Sequence, residues 1–408
     1  MSKKVKVGLF GFGCVGQGFY ELVKRNAEAN LEIKKIVVKN ADKQRDIDPI
    51  YFSTSTSDII DDPEIDIVVE LIDDSAAAFN ILKHSLAKRK PVVTANKRML
   101  AENLEEIFWL QKKYQTPVLY EGAVCGSIPI IRNLESHFAL DELKSIEGIF
   151  NGSTNYILTK MVEQKKHFQD ALQEAQELGF AETDPTLDVK GFDPKFKLVI
   201  AIAHAFGLLI RPQQVINFGI DHITENDLRF ARQHNYTIKL IAKTEKIGNK
   251  VFALVAPQFV PLEDPLAQVK NEYNAVNVTS ASLGLQVLIG KGAGKLPTGH
   301  VVLADVAAIA AGGRYHYPKI IKTRSCSFDE DLLINVHVSF TGQSDISLSD
   351  FEEFNGGFQS PHQQSMNGWI TAQKLKNWSE RKGLSVILNS GKNIRPREVK
   401  KEAEFSLA

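Results

Sequence analysis

Three glycines near the amino terminus could seat a phosphate-bearing cofactor. They are Gly11, Gly13 and Gly16 in Gly8-Leu-Phe-Gly-Phe-Gly-Cys-Val-Gly16, with Phe12 and Val15 between them. A short apolar run precedes the G-x-G-x-x-G spacing and a helical pattern follows, the context this fingerprint requires. There the first glycine permits a tight turn, the second lets a pyrophosphate reach the backbone, and the third brings helix and sheet together. N–H groups at the helix start then meet the phosphates. The same glycines could serve only a tight strand–helix turn; position and context favour the dinucleotide. Where the second strand ends, an acid would bond the ribose 2′-hydroxyl of NAD. Here the run is Val38-Lys-Asn-Ala-Asp-Lys-Gln-Arg45. Asn40 holds the acidic place, and Lys39, Lys43 and Arg45 would pair with a 2′-phosphate. The balance favours NADP and leaves NAD open.

Two lysines could handle a proton or orient a substrate. Asp193-Pro194 has the form of a helix start, with Asp193 as cap and Pro194 in the first turn. Lys197 falls about one turn in. The positive helix end disfavours its charged form, while Asp193 favours it. Lys97 follows the fourth strand, at the carboxyl edge where open α/β sheets bind ligands. Thr94, just before it, is a candidate cofactor contact. Composition alone would make both lysines ordinary solvated side chains.

The elements that must hold these groups can be traced along the chain. Residues 5–10, 31–38, 66–72, 91–94 and 117–120 read as short buried strands, with helical patterns reaching 22–23 and spanning 76–86 and 99–114. That alternation predicts a Rossmann-type, doubly wound parallel sheet, an α/β fold. Beyond about residue 135 the texture becomes α+β. Residues 143–150 and 283–289 read as strands, Gly179 ends a helix marked by Phe168, Leu172, Ala175 and Leu178, and Gly248-Asn249 suits a hairpin turn between 237–247 and 251–256. A largely open sheet there needs a cover, for which a second copy would serve. Residues 301–311 form a small-residue helix that could return to the first domain. The polar tail keeps strand-like runs at 332–340 and 384–388. The expected division is 1–134 for the NAD(P)-binding domain, 135–299 for substrate binding and dimerisation, 300–325 for the return helix, and 326–408 for an atypical, degenerate regulatory-like C-terminal α+β segment.

Composition excludes several classes. The 408 residues carry 49 basic and 49 acidic side chains, so net charge gives no reason to expect nucleic acid or an anionic membrane as partner. Cys14, Cys125 and Cys326 show neither disulfide nor zinc spacing, which points to a reducing, cytoplasmic setting. The N-terminus enters a strand rather than a signal peptide. The longest apolar stretch, 198–210, falls short of the roughly 20 residues that a membrane span needs.

Six further stretches carry a resemblance. They are Val92-Val-Thr-Ala-Asn-Lys97, Tyr120-Glu-Gly-Ala-Val-Cys-Gly-Ser-Ile-Pro129, Gly148-Ile-Phe-Asn-Gly-Ser-Thr-Asn-Tyr156, Ala181-Glu-Thr-Asp-Pro185, Gly191-Phe-Asp-Pro-Lys-Phe-Lys197 and Gly290-Lys-Gly-Ala-Gly-Lys-Leu-Pro-Thr298. In this order, over roughly residues 5–320, they resemble homoserine dehydrogenases. That resemblance implies NAD(P)-dependent interconversion of L-homoserine and L-aspartate 4-semialdehyde in threonine, methionine and isoleucine biosynthesis, by a homodimer or larger homo-oligomer. It implies Lys197 as proton donor and acceptor, with Lys97 and Asp193 beside it. Glu182 and Asp188 would face the substrate ammonium, and Asn151, Gly152, Ser153, Thr154 and Tyr156 would hold the rest of the substrate. Gly294 and Lys97 join the cofactor contacts. Glu121, Val124, Gly126 and Ile128 match a monovalent-cation site, with sodium implied.

Two departures stand out. Family members usually show Gly-Gly and then Pro-Ala after the third strand, where this chain has Asp73-Asp74-Ser75-Ala76. Those acids would either weaken an anionic cofactor or point away. Many members also end in a βαββαβ regulatory domain, but Ser339-Phe-Thr-Gly-Gln-Ser344 lacks its usual turn, so threonine feedback is not expected. Rival readings are another amino-acid-linked Rossmann reductase and a catalytically silent cofactor-binding regulator. The first would not need paired lysines; the second would have lost Lys97, Lys197, Asp193 or Glu182.

Overall fold

The computed structural model describes residues 4–26, 28, 30–40, 43–322, 326–340, 346–359, 364–379, 381 and 383–397. Ala41, Asp42 and the 341–344 turn considered above lie outside them. The chain begins with β1 (Val5–Phe10), α1 (Cys14–Arg25), β2 (Leu31–Val37), β3 (Phe52–Ser53), α2 (Ser57–Ile60), β4 (Ile67–Glu70), α3 (Ser75–Ala87), β5 (Val92–Thr94), α4 (Lys97–Tyr114) and β6 (Val118–Leu119). All six strands are parallel, in the order β3-β2-β1-β4-β5-β6. Strand order reverses between β1 and β4, which opens a ligand crevice at their carboxyl ends. Every residue of β4 and β5 is buried, as central strands covered on both faces require.

The second part runs α5 (Ile130–Glu135), β7 (Leu143–Ile149), α6 (Gly152–Gln164), α7 (Phe168–Glu177), α8 (Thr186–Val189), α9 (Phe192–Phe206), β8 (Ile216–Asn217), α10 (Glu225–Gln233), β9 (Tyr236–Ile247), β10 (Lys250–Pro261), β11 (Tyr273–Ser280) and β12 (Gly284–Lys291). The long β9–β10 hairpin turns on Gly248-Asn249, with Ile247 opposite Lys250 and Gly248 at φ +62°. That two-residue turn is the one the sequence predicts. Helices α6 and α9 pack on one face of this sheet. On the other face Ile149, Ile241, Val260, Leu266, Ala267, Val269 and Ala275 form a small core. On the same face Phe252, Leu254 and Ala256 of β10 are covered by the tail, while at the far edge Leu285 and Ile289 of β12 stand 54% and 57% exposed.

Next come α11 (Lys295–Ala310), α12 (Pro318–Lys322), β13 (Ser327–Phe328), β14 (Leu332–Phe340), β15 (Glu353–Gln359), β16 (Gln364–Thr371), α13 (Ala372–Trp378), β17 (Leu384–Leu388) and β18 (Ile394–Pro396). The return helix starts at Lys295, ahead of residue 301, because Pro297 sits in the first turn, where its missing N–H costs nothing. It packs along α1. A Cβ on Gly18 would come within 1.9 Å of Lys295 O, and one on Gly299 within 2.7 Å of Phe19 N. Glycine at both positions permits that approach, and Lys295 pairs with Glu21 at 2.9 Å.

The tail sheet has the order β17-β14-β16-β15. This is the strand arrangement of a βαββαβ unit, with the first helix reduced to a 3-10 turn over Leu348–Asp350 among the described residues. The unit is not detached: Gln258 of β10 pairs with Leu388 of β17, so the tail continues the middle sheet.

Candidate functional site

Helix α9 starts from Gly191, which takes the left-handed turn at φ +78° beneath Phe218 O, so Asp193 is not the predicted cap but stands in the first turn, where its carboxylate is taken by the lysines. Asp193 and Lys197 follow on one face, and both are buried. Lys197 Nζ donates to Asp193 Oδ2 at 2.6 Å and to Phe150 O at 2.6 Å. Lys97 Nζ reaches the other oxygen, Asp193 Oδ1, at 3.1 Å, with its side chain 42% exposed. Asn151 Nδ2 donates to Asp193 Oδ2 at 2.8 Å and to Asp188 Oδ1 at 2.7 Å. One carboxylate therefore joins two lysines from two domains. Burial would raise the Asp193 pKa, but the charges of Lys197 and Lys97 and their hydrogen bonds hold it below the ordinary range. Lys97 is kept protonated above its ordinary value chiefly by Asp193. Burial, then the charge of Asp193, pushes Asp188 up to about 6 against the Asn151 bond.

The 151–156 segment divides. Asn151 caps α6 by accepting Thr154 N at 2.8 Å. Gly152 lets the helix start close to Glu272 O. Thr154 Oγ1 turns back to Asn151 Oδ1 at 3.0 Å, and Ser153 Oγ bonds Phe180 O. Tyr156 does not join the cluster: its hydroxyl donates to Glu174 Oε1 at 2.7 Å, between α6 and α7. Glu182 is exposed, close enough that its charge favours protonated Lys97.

The cofactor cradle faces this cluster from the parallel sheet. Gly11, at φ +90°, is pressed on Leu71, and a Cβ on Gly16 would meet Gly11 O at 2.5 Å. Gly13 differs: a Cβ there would meet nothing within 4 Å, so its absence leaves open space at the α1 N-terminus. Gly294, at φ +129°, caps α11 beside it. The residues thus fit a pyrophosphate. Thr94 is wholly buried, and its hydroxyl donates to Glu70 Oε2 at 2.6 Å. The Arg45 guanidinium lies 4.7 Å over the Phe52 ring and donates to Lys43 O and Asn40 O at 2.7 and 2.9 Å. Phe52 in turn meets Phe12 of the glycine loop edge-on at 5.4 Å. Lys39 and Lys43 are exposed nearby, and Val15 is partly buried against the core. The two acids after β4 have a local role: Asp74 caps α3 by accepting Ala77 N at 3.0 Å, and both it and Asp73 are exposed.

Two family models match, "Homoserine dehydrogenase, NAD binding domain" over residues 11–121 and "Homoserine dehydrogenase" over residues 129–307. A Bacillus subtilis homoserine dehydrogenase is 37% identical over 316 residues, 75% of this chain and 73% of that protein. The chain belongs to the homoserine dehydrogenase family. The structure of a Thiobacillus denitrificans homoserine dehydrogenase superposes with a TM-score of 0.83 at 29% identity, covering 95% of this chain and 98% of that one. A hyperthermophilic archaeal homoserine dehydrogenase in complex with NADPH gives 0.66 at 26% identity, covering 76% and 99%.

Within this family frame, the candidate cation loop has its own geometry. Cys125 and Gly126 are both left-handed, at φ +56°. The Glu121 oxygens accept Ile131 N and Arg132 N at 2.8 Å each, capping α5. Burial, with the charge of Asp305, pushes Glu121 up to about 8. The buried acids Glu121 and Asp305 share the Arg132 guanidinium, at 3.7 Å from Glu121 Oε2 and 2.5 Å from Asp305 Oδ1, and the Ile128 carbonyl accepts Ile130 N at 2.8 Å. Oxygen ligands suit a hard cation, whose charge would favour the ionised form of Glu121. Among the described residues no group of three His, Cys, Asp or Glu could hold a metal.

Sequence reasoning missed the braces behind the site. Glu70 lies inside the run taken as apolar, and Asn96 caps α4 by accepting Met99 N at 3.0 Å. At the far end of α9, His204 bonds Glu135 at 2.6 Å and the Tyr120 hydroxyl at 2.9 Å, which continues to Tyr317 at 3.0 Å. An acid within a strand buried on both faces was the available signal for Glu70.

Proposed function

We propose that this enzyme interconverts L-homoserine and L-aspartate 4-semialdehyde with Lys197 as its proton-handling residue. The observation that carries this reading is the Lys97–Asp193–Lys197 bridge between the cofactor sheet and the substrate domain. The nicotinamide, when bound, accepts or supplies the hydride. The bonds from Lys197 to Asp193 and Phe150 O use two donor positions of its nitrogen. The third position, a lone pair or an N–H, is left for the reacting oxygen, where it takes the hydroxyl proton or returns it to the aldehyde oxygen. Asp193 fixes that nitrogen and Lys97 together, so both face one reacting centre. Asp188 and Glu182 offer negative charge to the substrate ammonium, while Asn151 with Gly152, Ser153 and Thr154 borders the carboxylate end.

The cofactor would rest on Gly11, Phe12, Gly13, Val15, Gly16 and Gly294. NADP is preferred over NAD, supported by Arg45 stacked beside the glycine loop with Lys39 and Lys43. A monovalent cation, sodium by family likeness, is assigned to the 121–128 loop. The exposed edge carrying Leu285 and Ile289 is assigned to a second copy, giving a homodimer or a larger homo-oligomer. Among the described residues no helix is long and apolar enough to cross a membrane, and the three free cysteines there agree with a reducing cytoplasm. The work divides over 1–134 for cofactor, 135–299 for substrate and dimer, 300–325 for the return segment and 326–408 for the tail.

Steady-state oxidation of homoserine with NADP and with NAD tests the reading. Turnover with NADP is expected, abolished in Lys197→Ala with cofactor binding retained. Arg45→Ala should weaken NADP about tenfold or more and leave NAD unchanged, since a charge-assisted phosphate bond is lost. No activity with either cofactor, or near-normal turnover in Lys197→Ala, sinks it.

A further inference from the structure

Glu70 ends the central strand β4 with no exposed surface. Its Oε1 accepts Ile72 N at 2.7 Å and its Oε2 accepts the Thr94 hydroxyl at 2.6 Å. Thr94 Oγ1 then accepts Asn96 N at 3.0 Å, and Asn96 Nδ2 donates back to Ile72 O at 3.0 Å. Two loops close on this ring. One is 71–72, whose Leu71 carbonyl and Ile72 side chain lie against Gly11. The other is 94–96, which leads into Lys97 and so to Asp193. A single carboxylate is the shared acceptor of both crossover loops at the carboxyl edge.

We infer that Glu70, in its ionised form, is the positioning residue that sets the floor of the glycine turn and the start of α4 in register. The hydrogens decide why the ionised form matters. Ile72 N–H and Thr94 O–H use the carboxylate, and Asn96 N–H uses the hydroxyl oxygen. A proton added to the carboxyl either takes an oxygen that Ile72 or Thr94 was using, or turns the Thr94 hydroxyl away. With Glu70 and Thr94 both fully buried, one hydrogen is then unpaired and one loop loses its tether.

The surroundings make that protonation accessible. Burial raises the Glu70 pKa to about 7 against the bonds from Thr94 and Ile72, and Asp73 in the following loop adds like charge. From β1 the facing residue is Phe10, and from β5 it is Thr94. On α3, Lys83 lies over the Phe79 ring and His84 is exposed. On α11, Lys295 pairs with Glu21, His300 is exposed, and Asp305 is held by Arg132. On α4, Lys97 is engaged with Asp193.

The effect on turnover rests on the roles proposed for Lys97 and Lys197; the effect on the glycine turn does not. The test is the NADPH dissociation constant, read by fluorescence, alongside kcat from about pH 5.5 to about pH 8.5, across the range where the carboxyl changes charge. In the wild-type enzyme both should deteriorate as pH falls through about 7. Glu70→Gln brings hydrogens in place of an acceptor, so it should behave at every pH like the acid form. At about pH 8 its NADPH affinity and kcat should be about tenfold lower, with no inflection near neutrality. Thr94→Val removes a donor that favours the ionised carboxylate, so its inflection should move to higher pH. A Glu70→Gln enzyme with wild-type affinity, turnover and inflection overturns the inference. If that variant does not fold, an unmoved inflection in Thr94→Val overturns it instead. If Lys197→Ala proves active, the catalytic reading fails, yet the NADPH affinity of Glu70→Gln still judges Glu70.

Discussion

Asp193 carries more of the site than either lysine, because its two oxygens serve both. Asp193→Asn removes the shared charge while keeping the volume. An amide cannot accept on both sides, so one lysine loses its tether. The expected result is a loss of kcat of about 10²- to 10⁴-fold, the range for a misplaced proton-transfer group, with NADPH affinity nearly unchanged; a fall confined to cofactor affinity would contradict it. Tyr156 gives the opposite expectation. Its hydroxyl holds Glu174, which keeps Lys166 and Lys160 as partners. Tyr156→Phe should leave the KM for homoserine unaltered and cost about 1 kcal/mol of stability, one ordinary hydrogen bond, measurable by denaturant titration. The difference between these residues marks what the sequence can show. A helix start near Asp193-Pro194 was legible locally, although its cap is Gly191, and the role of Lys197 came from the family resemblance alone. Tyr156 sits in the same recognisable stretch as Asn151, but one turn of helix points the two side chains to different neighbours. The Asn151 bridge joins positions 37 and 42 residues apart, and Glu70 meets Thr94 across 24; no local pattern encodes such pairs.

Helices and strands were legible where their patterns are self-sufficient. The parallel strands follow from short apolar runs between helical periods, and the β9–β10 turn from Gly248-Asn249. Strand β15, with the sequence EFNGGFQ, has no clean alternation, and a bulge breaks its register between Phe354 and Gly356. Its pairing with β16 comes from the tertiary sheet, so sequence reading passed over it. The glycine cradle separates two reasons for lacking a side chain. Gly18 and Gly299 make room for helix packing, while Gly13 makes room for something outside the chain. Gly18→Ala should therefore force α1 and α11 apart and cost about 1–3 kcal/mol, the range for overpacking, visible as a lowered Tm. Gly13→Ala meets no atom, and its φ of −79° is ordinary for alanine. Its Tm should match the wild type while NADPH affinity falls tenfold or more, by about 1.4 kcal/mol. A Gly13→Ala enzyme that unfolds early but binds normally would reverse the assignment.

Across the whole molecule, three buried carboxyls have pKa values raised well above the ordinary range: Asp188 at about 6, Glu70 at about 7 and Glu121 at about 8. In the unfolded chain these groups would ionise near their ordinary values, 3.8 for Asp and 4.5 for Glu. Between those values and the folded ones, the native state binds more protons than the unfolded state, so stability falls as pH rises. Glu174 and Asp141 have the opposite sign. Hydrogen bonds from Lys166 and Tyr156, and from Ser280 and Ser282, hold their pKa values at about 2, so their stabilisation is present above the ordinary carboxyl range and lost on acidification. The Tm should consequently peak at mildly acidic pH and decline towards about pH 8.5. The same charges connect stability to the proposed cation. An ion at the 121–128 loop would favour ionised Glu121 and bind only the folded chain, offsetting that decline by mass action. Sodium chloride should raise the Tm at alkaline pH more than choline chloride at equal ionic strength, and the gap should close at mildly acidic pH, where Glu121 is protonated. Calorimetry in the two salts decides the matter: equal Tm values at alkaline pH would leave the loop as a capped turn without an ion, and a Tm that climbs steadily with pH in both would contradict the protonation of all three buried acids.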